Sequence, residues 1–306
     1  MKQIKSDDLI SRLLIRFNEE LGGYLKGDVV TIKSPIDVGL DDAIRYEIEN
    51  LHEGTKKKRG IKLVVILETN GGYIEVVERI YNVFRKHYDL VDFIVPNFAY
   101  SAGTVLVLSG DEIYMDYYSV LGPIDPQVRF NDGRFLPGIG YLQKFNELVK
   151  LIDEASDPGK LRAEMAFLIN KFEPATLSFI EQSRDHSISL LESWLPRHKF
   201  KNWNKKETSG GTVTTKDKKD RAKEIANILG DPNKWHSHGR GIDIKSLTSD
   251  DIKLKINNFG TSKGLNDNIR KYYDLLVDYC IKLGITGIND TIIHSYRGLR
   301  RLNLRD

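Results

Sequence analysis

Hydrophobic positions in the first half of the chain follow two patterns that alternate along it. Near the N-terminus they recur every three or four residues, which predicts an amphipathic helix. These positions are Ile10, Leu13, Leu14, Phe17 and Leu21. The run 61–67 (IKLVVIL) is instead continuous and rich in β-branched residues, as in a strand that helices cover on both faces of a parallel sheet.

The same two patterns predict a succession of strands and helices. We expect strands at 29–32, 61–67, 91–95 and 112–115, and helices at 41–54, 73–87 and 101–108. Strands that alternate with helices favour parallel pairing and right-handed crossovers, so the sequence predicts an α/β fold. Beyond residue 126 we expect an added helical layer, in stretches at 141–155, 158–195, 220–229 and 265–283.

The length of 306 residues suits one large domain with appendages. We expect N-terminal helices and a first strand at 1–56, a core with its helical layer at 57–198, and a helical C-terminal part at 221–306. Residues 199–220 (KFKNWNKKETSGGTVTTKDKKD) are polar and basic with almost nothing apolar to bury. We therefore expect an exposed, flexible excursion there.

Charge and cysteine content narrow the class of protein. The chain has 46 basic and 43 acidic residues, a net charge of +3, so we expect neither nucleic acid nor an anionic membrane as a partner. Cys280 is the single cysteine, which excludes an intramolecular disulfide framework and fits a reducing compartment. The N-terminus has no apolar signal core, and no run of about 18 apolar residues predicts a transmembrane segment. We expect a cytoplasmic protein.

Three loops that follow predicted strands carry the residues of chemical interest. They contain Asn70–Gly72, Tyr100–Gly103 and Ser119–Gln127. Ligands of open α/β sheets bind in the crevice beyond the carboxyl ends of the strands, so we expect these loops to surround one site.

Ser101 stands at the predicted start of a helix, where a serine commonly acts as an N-cap. Its small neighbours Ala102 and Gly103 would also let a substrate backbone approach closely, and a helix N-terminus favours developing negative charge. Gly71 and Gly72 offer backbone amides without side chains, as an oxyanion hole needs, although a plain turn would use the same pair.

Together these segments resemble the serine dehydrogenase proteinase family of the Clp protease/crotonase superfamily, which is related to signal peptide peptidase A. The resemblance rests on the order, spacing and letters of LETNGG (67–72), VPNFAYSAGT (95–104), GDEIYMD (110–116) and LGPIDPQ (121–127). It reappears at WHSHGR (235–240). It implies a crotonase/Clp-like parallel β-sheet core of ββα-type units within 57–198, and a serine peptidase.

The resemblance implies a role for several residues. Ser101 would attack the scissile carbonyl, while backbone amides near Gly72 and of Ala102 would hold the oxyanion. Asp125 could orient a base or the substrate, or simply cap a turn between its two prolines.

The general base stays open between two residues. The Clp subunit places a histidine about 25 residues after its serine, and here that stretch contains none. Lys144 lies where the peptidase relatives place their lysine, although an exposed lysine is common in such an amphipathic segment. His238, in the loop 235–240, is the second candidate; it could instead orient the loop through a hydrogen bond. A zinc site with His236 lacks further nearby ligands.

The sequence leaves three functions to compare. A serine peptidase acting on peptides or unfolded proteins needs no metal or organic cofactor, and the resemblance implies a homo-oligomer. No ATPase phosphate-binding loop is present, so any unfoldase would be a separate partner chain. The alternatives are an acyl-CoA hydratase or isomerase of the same fold, and a scaffold or regulatory subunit without a competent base.

Overall fold

The computed structural model describes residues 5–53, 62–129, 135–154, 158–206, 210–285 and 290–302. Its helices are α1 (Ser6–Leu25), α2 (Leu40–Glu53), α3 (Ile74–His87), α4 (Ala102–Leu108), α5 (Gly138–Asp153), α6 (Pro158–Lys171), α7 (Pro174–Arg197), α8 (Thr215–Leu229), α9 (Pro232–Trp235), α10 (Ile244–Thr248) and α11 (Lys263–Lys282). Its strands are β1 (Asp28–Lys33), β2 (Lys62–Glu68), β3 (Leu90–Ile94), β4 (Phe98–Ala99), β5 (Glu112–Met115), β6 (Val120–Leu121), β7 (Gln127–Arg129), β8 (Phe135–Pro137), β9 (Ile242–Asp243), β10 (Asn257–Asn258), β11 (Thr291–Ser295) and β12 (Gly298–Leu302).

The central sheet has the strand order β10-β5-β3-β2-β1-β11-β12. Neighbours from β10 to β1 are parallel, and β11 and β12 join antiparallel beside β1. The predicted α/β fold with a mostly parallel sheet and added helices is therefore confirmed.

Helices cover both faces of this sheet, because successive side chains of a strand point to opposite faces. In β2, Leu63 and Val65 belong to the hydrophobic core that α2, α3, α4 and α7 close, whereas Val64 and Ile66 belong to a second core under α1 and α11. All four side chains are 0% exposed. Burial on both faces explains why this run of the sequence is continuously apolar.

The helical layer differs from the expected stretch 158–195. The structure divides it into α6 and α7, and Pro174 occupies the first turn of α7. A proline is tolerated there because the first N–H groups of a helix have no intrahelical partner, while the residue before it is biased away from the helix.

The C-terminal part is not wholly helical, contrary to the expectation for 221–306. Residues Thr291–Ser295 and Gly298–Leu302 form β11 and β12, whose register pairs Ile293 with Arg300. The five residues of β11 are all buried, and three of them are β-branched, as suits a strand within a sheet. The helical spacing of the preceding segment does not extend into them.

The segment 199–220 is not simply an exposed excursion. Phe200 and Val213 are buried, and the Lys199 side chain is 2% exposed with its Nζ 2.9 Å from Glu112 Oε2. Helix α8 already begins at Thr215. The few apolar side chains of the segment are therefore buried, although its polar composition predicted exposure.

The expected boundary between residues 56 and 57 lies outside the described residues. Among the described helices, none combines the length and apolar character that crossing a bilayer requires.

Candidate active site

Ser101 occupies a strained turn between β4 and α4. Its φ is 52° and its ψ is −120°, a region that residues other than glycine rarely adopt. Its carbonyl oxygen accepts hydrogen bonds from Thr104 N and Val105 N, but its side chain does not cap α4. The N-cap alternative for this serine is therefore not realised, and the strain lies at a residue with a nucleophilic hydroxyl.

The two glycines of the Asn-Gly-Gly turn lie directly against Ser101 and the segment that follows β1. A Cβ on Gly71 would lie 2.8 Å from Ser101 Cβ, and one on Gly72 would lie 2.3 Å from Ile36 O. Their φ angles are +93° and +150°. Only glycine fits both positions, because any side chain would be strained as well as overlapping.

The backbone amides of this turn are not equivalent. Gly71 N donates to Thr69 Oγ1 at 3.0 Å. Within the part of the chain that the structure describes, the amides of Gly72 and Ala102 donate no hydrogen bond. Ala102 follows the serine, and the Gly71–Gly72 turn packs on it, so these two free N–H groups fit an oxyanion hole. Gly71 contributes its shape rather than its N–H.

A small three-stranded sheet joins the loop of Ser101 to two distant segments. Its order is β4-β6-β9. Strands β4 and β6 are parallel, with Ala99 paired to Leu121, and β9 runs antiparallel to β6, with Leu121 paired to Ile242. The C-terminal ends of β4 and β6 and the N-terminal end of β9 therefore lie at the same edge of this sheet.

Three of the candidate residues leave the sheet at that edge. Ser101 follows β4 by two positions, Asp125 follows β6 by four, and His238 precedes β9 by four. The first two loops are in contact, because a Cβ on Gly122 would lie 2.9 Å from Tyr100 Cα. The topology thus collects a hydroxyl, a carboxylate and an imidazole from three separate parts of the sequence.

Asp125 and His238 form a buried pair. The distance from His238 Nδ1 to Asp125 Oδ1 is 2.8 Å, and the two side chains are 11% and 3% exposed. A hydrogen bond from Nδ1 fixes the tautomer of the ring and leaves Nε2 able to accept a proton. The prolines that flank Asp125 suggested a turn cap as one role, but the carboxylate binds the histidine.

The C-terminal turn of α8 anchors both members of this pair. Ile124 N donates to Leu229 O at 3.1 Å, and Trp235 Nε1 donates to Ile228 O at 2.7 Å. The last carbonyls of a helix have no intrahelical partner and so are available for such bonds. Trp235 begins the motif WHSHGR, and its place just before the two histidines was the signal in the sequence for this anchoring role.

Lys144 lies in a different environment. Its side chain is 64% exposed on α5, and its Nζ is 2.9 Å from Glu147 Oε2, one turn away on the same helix. A lysine that acts as a base needs its ammonium group buried, because burial disfavours the charged form. The structure supplies this lysine with a solvated ion pair instead.

A cavity of about 650 Å³ lies elsewhere, lined by Glu112, Lys199 and Trp203 among others. It contains none of Ser101, Asp125 and His238, and Glu112 begins its strand at the sheet edge opposite the one that carries the loops. Among the described residues, no three histidine, cysteine, aspartate or glutamate side chains cluster as metal ligands.

Comparison with known proteins agrees with the motifs. Residues 47–136 match the family described as ClpP-like SDH-type serine proteinase. This match confirms the resemblance seen in the sequence: over this segment the chain is similar to the SDH-type serine proteinases.

The relatives cover only parts of the chain. Two uncharacterized proteins of Methanocaldococcus jannaschii are 29% and 31% identical over 37% and 27% of this chain. The matched regions span 43% and 31% of those proteins' own length, less than half in each case.

Two solved structures show weaker likeness. The ClpP protease catalytic domain from Plasmodium falciparum is 13% identical, with a TM-score of 0.31 over 60% of this chain and 83% of its own. A mutant of the 1510-N membrane-bound stomatin-specific protease, in complex with a substrate peptide, is 21% identical, with a TM-score of 0.31 over 41% and 58%. The similarity to this family lies in the matched segment 47–136.

Proposed function

We propose that this protein is a serine peptidase that cleaves peptide bonds through an acyl-enzyme on Ser101. The observation that carries the proposal is the buried His238–Asp125 pair, at the edge of the small sheet from which the Ser101 loop also leaves. A nucleophile, a base and a group that orients the base are the parts of a serine hydrolase triad.

In the proposed reaction, His238 Nε2 removes the proton from Ser101 Oγ as this oxygen bonds to the scissile carbonyl carbon. The amides of Gly72 and Ala102 hold the negative charge on the carbonyl oxygen. The carbon–nitrogen bond then breaks, and the amine leaves with the proton from His238. Water, deprotonated by the same imidazole, releases the acyl group and restores Ser101.

Asp125 keeps the His238 ring in the required tautomer and stabilises the imidazolium that forms. This assignment uses the 2.8 Å hydrogen bond and the burial of both groups. It leaves Lys144, with its exposed ion pair to Glu147, outside the proposed chemistry.

The proposed substrate is a peptide or unfolded protein segment, and the proposed assembly is a homo-oligomer in the cytoplasm. Large apolar side chains on α5, α6 and α7 are exposed and support self-association; they include Leu151, Met165, Phe167 and Phe179. Light scattering coupled to size exclusion measures the assembly directly, and a strictly monomeric chain would contradict this part of the proposal.

A fluorophosphonate probe tests the nucleophile and base together. We expect the wild-type protein to be labelled and to cleave fluorogenic peptides, and Ser101→Ala and His238→Ala to lose both properties. Lys144→Ala is expected to behave like wild type. Lys150→Ala is its matched control and should do the same, because Lys150 is also an exposed lysine on α5 and pairs with Glu154.

Other outcomes select the alternatives. If only Lys144→Ala loses labelling and cleavage, a serine–lysine dyad replaces the proposed triad. Turnover of an acyl-CoA thioester that survives Ser101→Ala supports a hydratase or isomerase. A wild-type protein that neither labels nor cleaves in any assembly state supports a scaffold.

A further inference from the structure

The Thr104 hydroxyl is a buried junction between the loops of Ser101 and Asp125. It lies in the first turn of α4 and is 0% exposed. Its Oγ1 lies 2.8 Å from Ala99 O and 2.9 Å from Gly122 O, and it accepts from Gly122 N at 3.0 Å. One side chain thus contacts the end of β4 and both backbone polar groups of a single glycine.

These contacts bridge the two strands that carry the site. Ala99 ends β4, two residues before Ser101, and Gly122 follows the end of β6, three residues before Asp125. Gly122 N also donates to Ala99 O at 3.1 Å, so the hydroxyl lies within a compact group of backbone hydrogen bonds. Groups buried in this way have no water to replace a lost partner.

We propose that Thr104 is a positioning residue that sets the separation between Ser101 and the Asp125–His238 pair. Its hydroxyl fixes where the chain after β6 turns toward Asp125. The proposal rests on the proposed function, because it assigns Thr104 a role in that reaction. Thr104 touches no reacting atom in this scheme and acts only through the backbone.

The substitution Thr104→Val removes the hydroxyl at nearly constant volume, whereas Thr104→Ser keeps it. A small displacement within a catalytic group costs up to about 100-fold in rate. We expect Thr104→Val to lower the rate constant for fluorophosphonate labelling of Ser101 by roughly 10- to 100-fold. We expect Thr104→Ser to stay within about threefold of wild type, since it preserves the same contacts.

Thr31→Val is the matched control. Thr31 is 2% exposed in β1, and its hydroxyl lies 2.8 Å from Tyr272 Oη, on the opposite face of the central sheet. The substitution Thr31→Val therefore removes a buried threonine hydroxyl of the same kind without changing a contact of either loop. Equal losses of labelling rate in Thr31→Val and Thr104→Val would show a general loss of stability and overturn the positioning role.

A second measurement separates this inference from the proposed function. The proton between His238 Nδ1 and Asp125 should give a slowly exchanging imidazole N–H resonance in the proton NMR spectrum. The loss of this resonance in His238→Gln would assign it to His238. We expect Thr104→Val to broaden or abolish this resonance, and Thr104→Ser and Thr31→Val to keep it.

The outcomes are then distinct. If wild-type protein is not labelled but the resonance depends on the Thr104 hydroxyl, the peptidase proposal fails and the positioning role stands. If Thr104→Val labels at the wild-type rate and keeps the resonance, the positioning role is wrong whatever the protein does.

Discussion

His238 Nδ1 lies 2.8 Å from Asp125 Oδ1 although the two residues are 113 positions apart in the chain. The pair exists because β9 runs antiparallel to β6, which returns the segment before Ile242 to the end of the strand that precedes Asp125. A buried carboxylate next to one imidazole nitrogen directs the other nitrogen to act as a base.

Removal of the Asp125 charge should impair catalysis more than folding. We expect Asp125→Asn to reduce kcat/KM for peptide cleavage by about 10³- to 10⁴-fold, because an amide favours the wrong tautomer of His238. The matched control is Asp250→Asn, whose side chain is 99% exposed and pairs only loosely with Lys253. Steady-state cleavage assays on both variants check the prediction; a similar decrease in both would contradict the orienting role.

The Gly71–Gly72 turn should not tolerate a side chain. We expect Gly72→Ala to lower the Tm and abolish cleavage, because the new Cβ would overlap Ile36 O at a φ of +150°. Gly140→Ala is the control, since a Cβ there meets nothing within 4 Å. Calorimetry and peptide cleavage measure both effects, and a Gly72→Ala protein of wild-type activity would exclude its amide as an oxyanion donor in this geometry.

The indole N–H of Trp235 should hold the histidine loop in place. Trp235→Phe keeps most of the buried ring but removes the bond to Ile228 O. We expect about 1 kcal/mol less stability to unfolding and a roughly tenfold lower kcat from the looser loop.

Trp203→Phe provides the comparison for this substitution. Within the described residues the Trp203 indole N–H donates no hydrogen bond, and the residue lies outside the three loops. If its variant loses as much kcat as Trp235→Phe, the anchoring role of Trp235 is wrong.

Stability should decline in mild acid because of His294. This side chain is 1% exposed, contacts Tyr272 Oη at 2.7 Å, and has its pKa lowered by burial from 6.5 to about 4. Above pH 6.5 the imidazole is neutral in both folded and unfolded states and contributes no pH dependence. As pH falls from 6.5 toward 4, the unfolded chain binds a proton that the folded protein does not.

The free energy of unfolding should therefore fall by about 3 kcal/mol through that window on account of His294. His198, whose pKa burial also lowers to about 4, adds a change of the same sign. We would measure the free energy of unfolding with urea at several pH values across this window. Its slope against pH should be shallower in His294→Gln than in wild type. An unchanged slope in His294→Gln would contradict the assignment.

The local pattern of hydrophobic residues was enough to predict much of the fold. The strand predicted at 61–67 is observed as Lys62–Glu68, and the helix predicted at 73–87 as Ile74–His87. Such elements are predictable because hydrophobic periodicity records which face of each is buried. The break in 158–195 at Pro174 was not predicted, because apolar residues recur at helical spacing on both sides of it. The strands β11 and β12 were not predicted either, because β11 takes its place by pairing with the distant β1.

Contiguous residues encode the strand-end loops, the serine in its small-residue turn and the glycine pair, so these features could be predicted from the sequence. The identity of the general base stayed open between Lys144 and His238. Only the tertiary structure distinguishes their surroundings, exposing Lys144 beside Glu147 and burying His238 against Asp125. The burial of His238 and its contact with Asp125 depend on the pairing of β6 with β9, whose residues are more than 100 positions apart, and no local pattern records such a pairing.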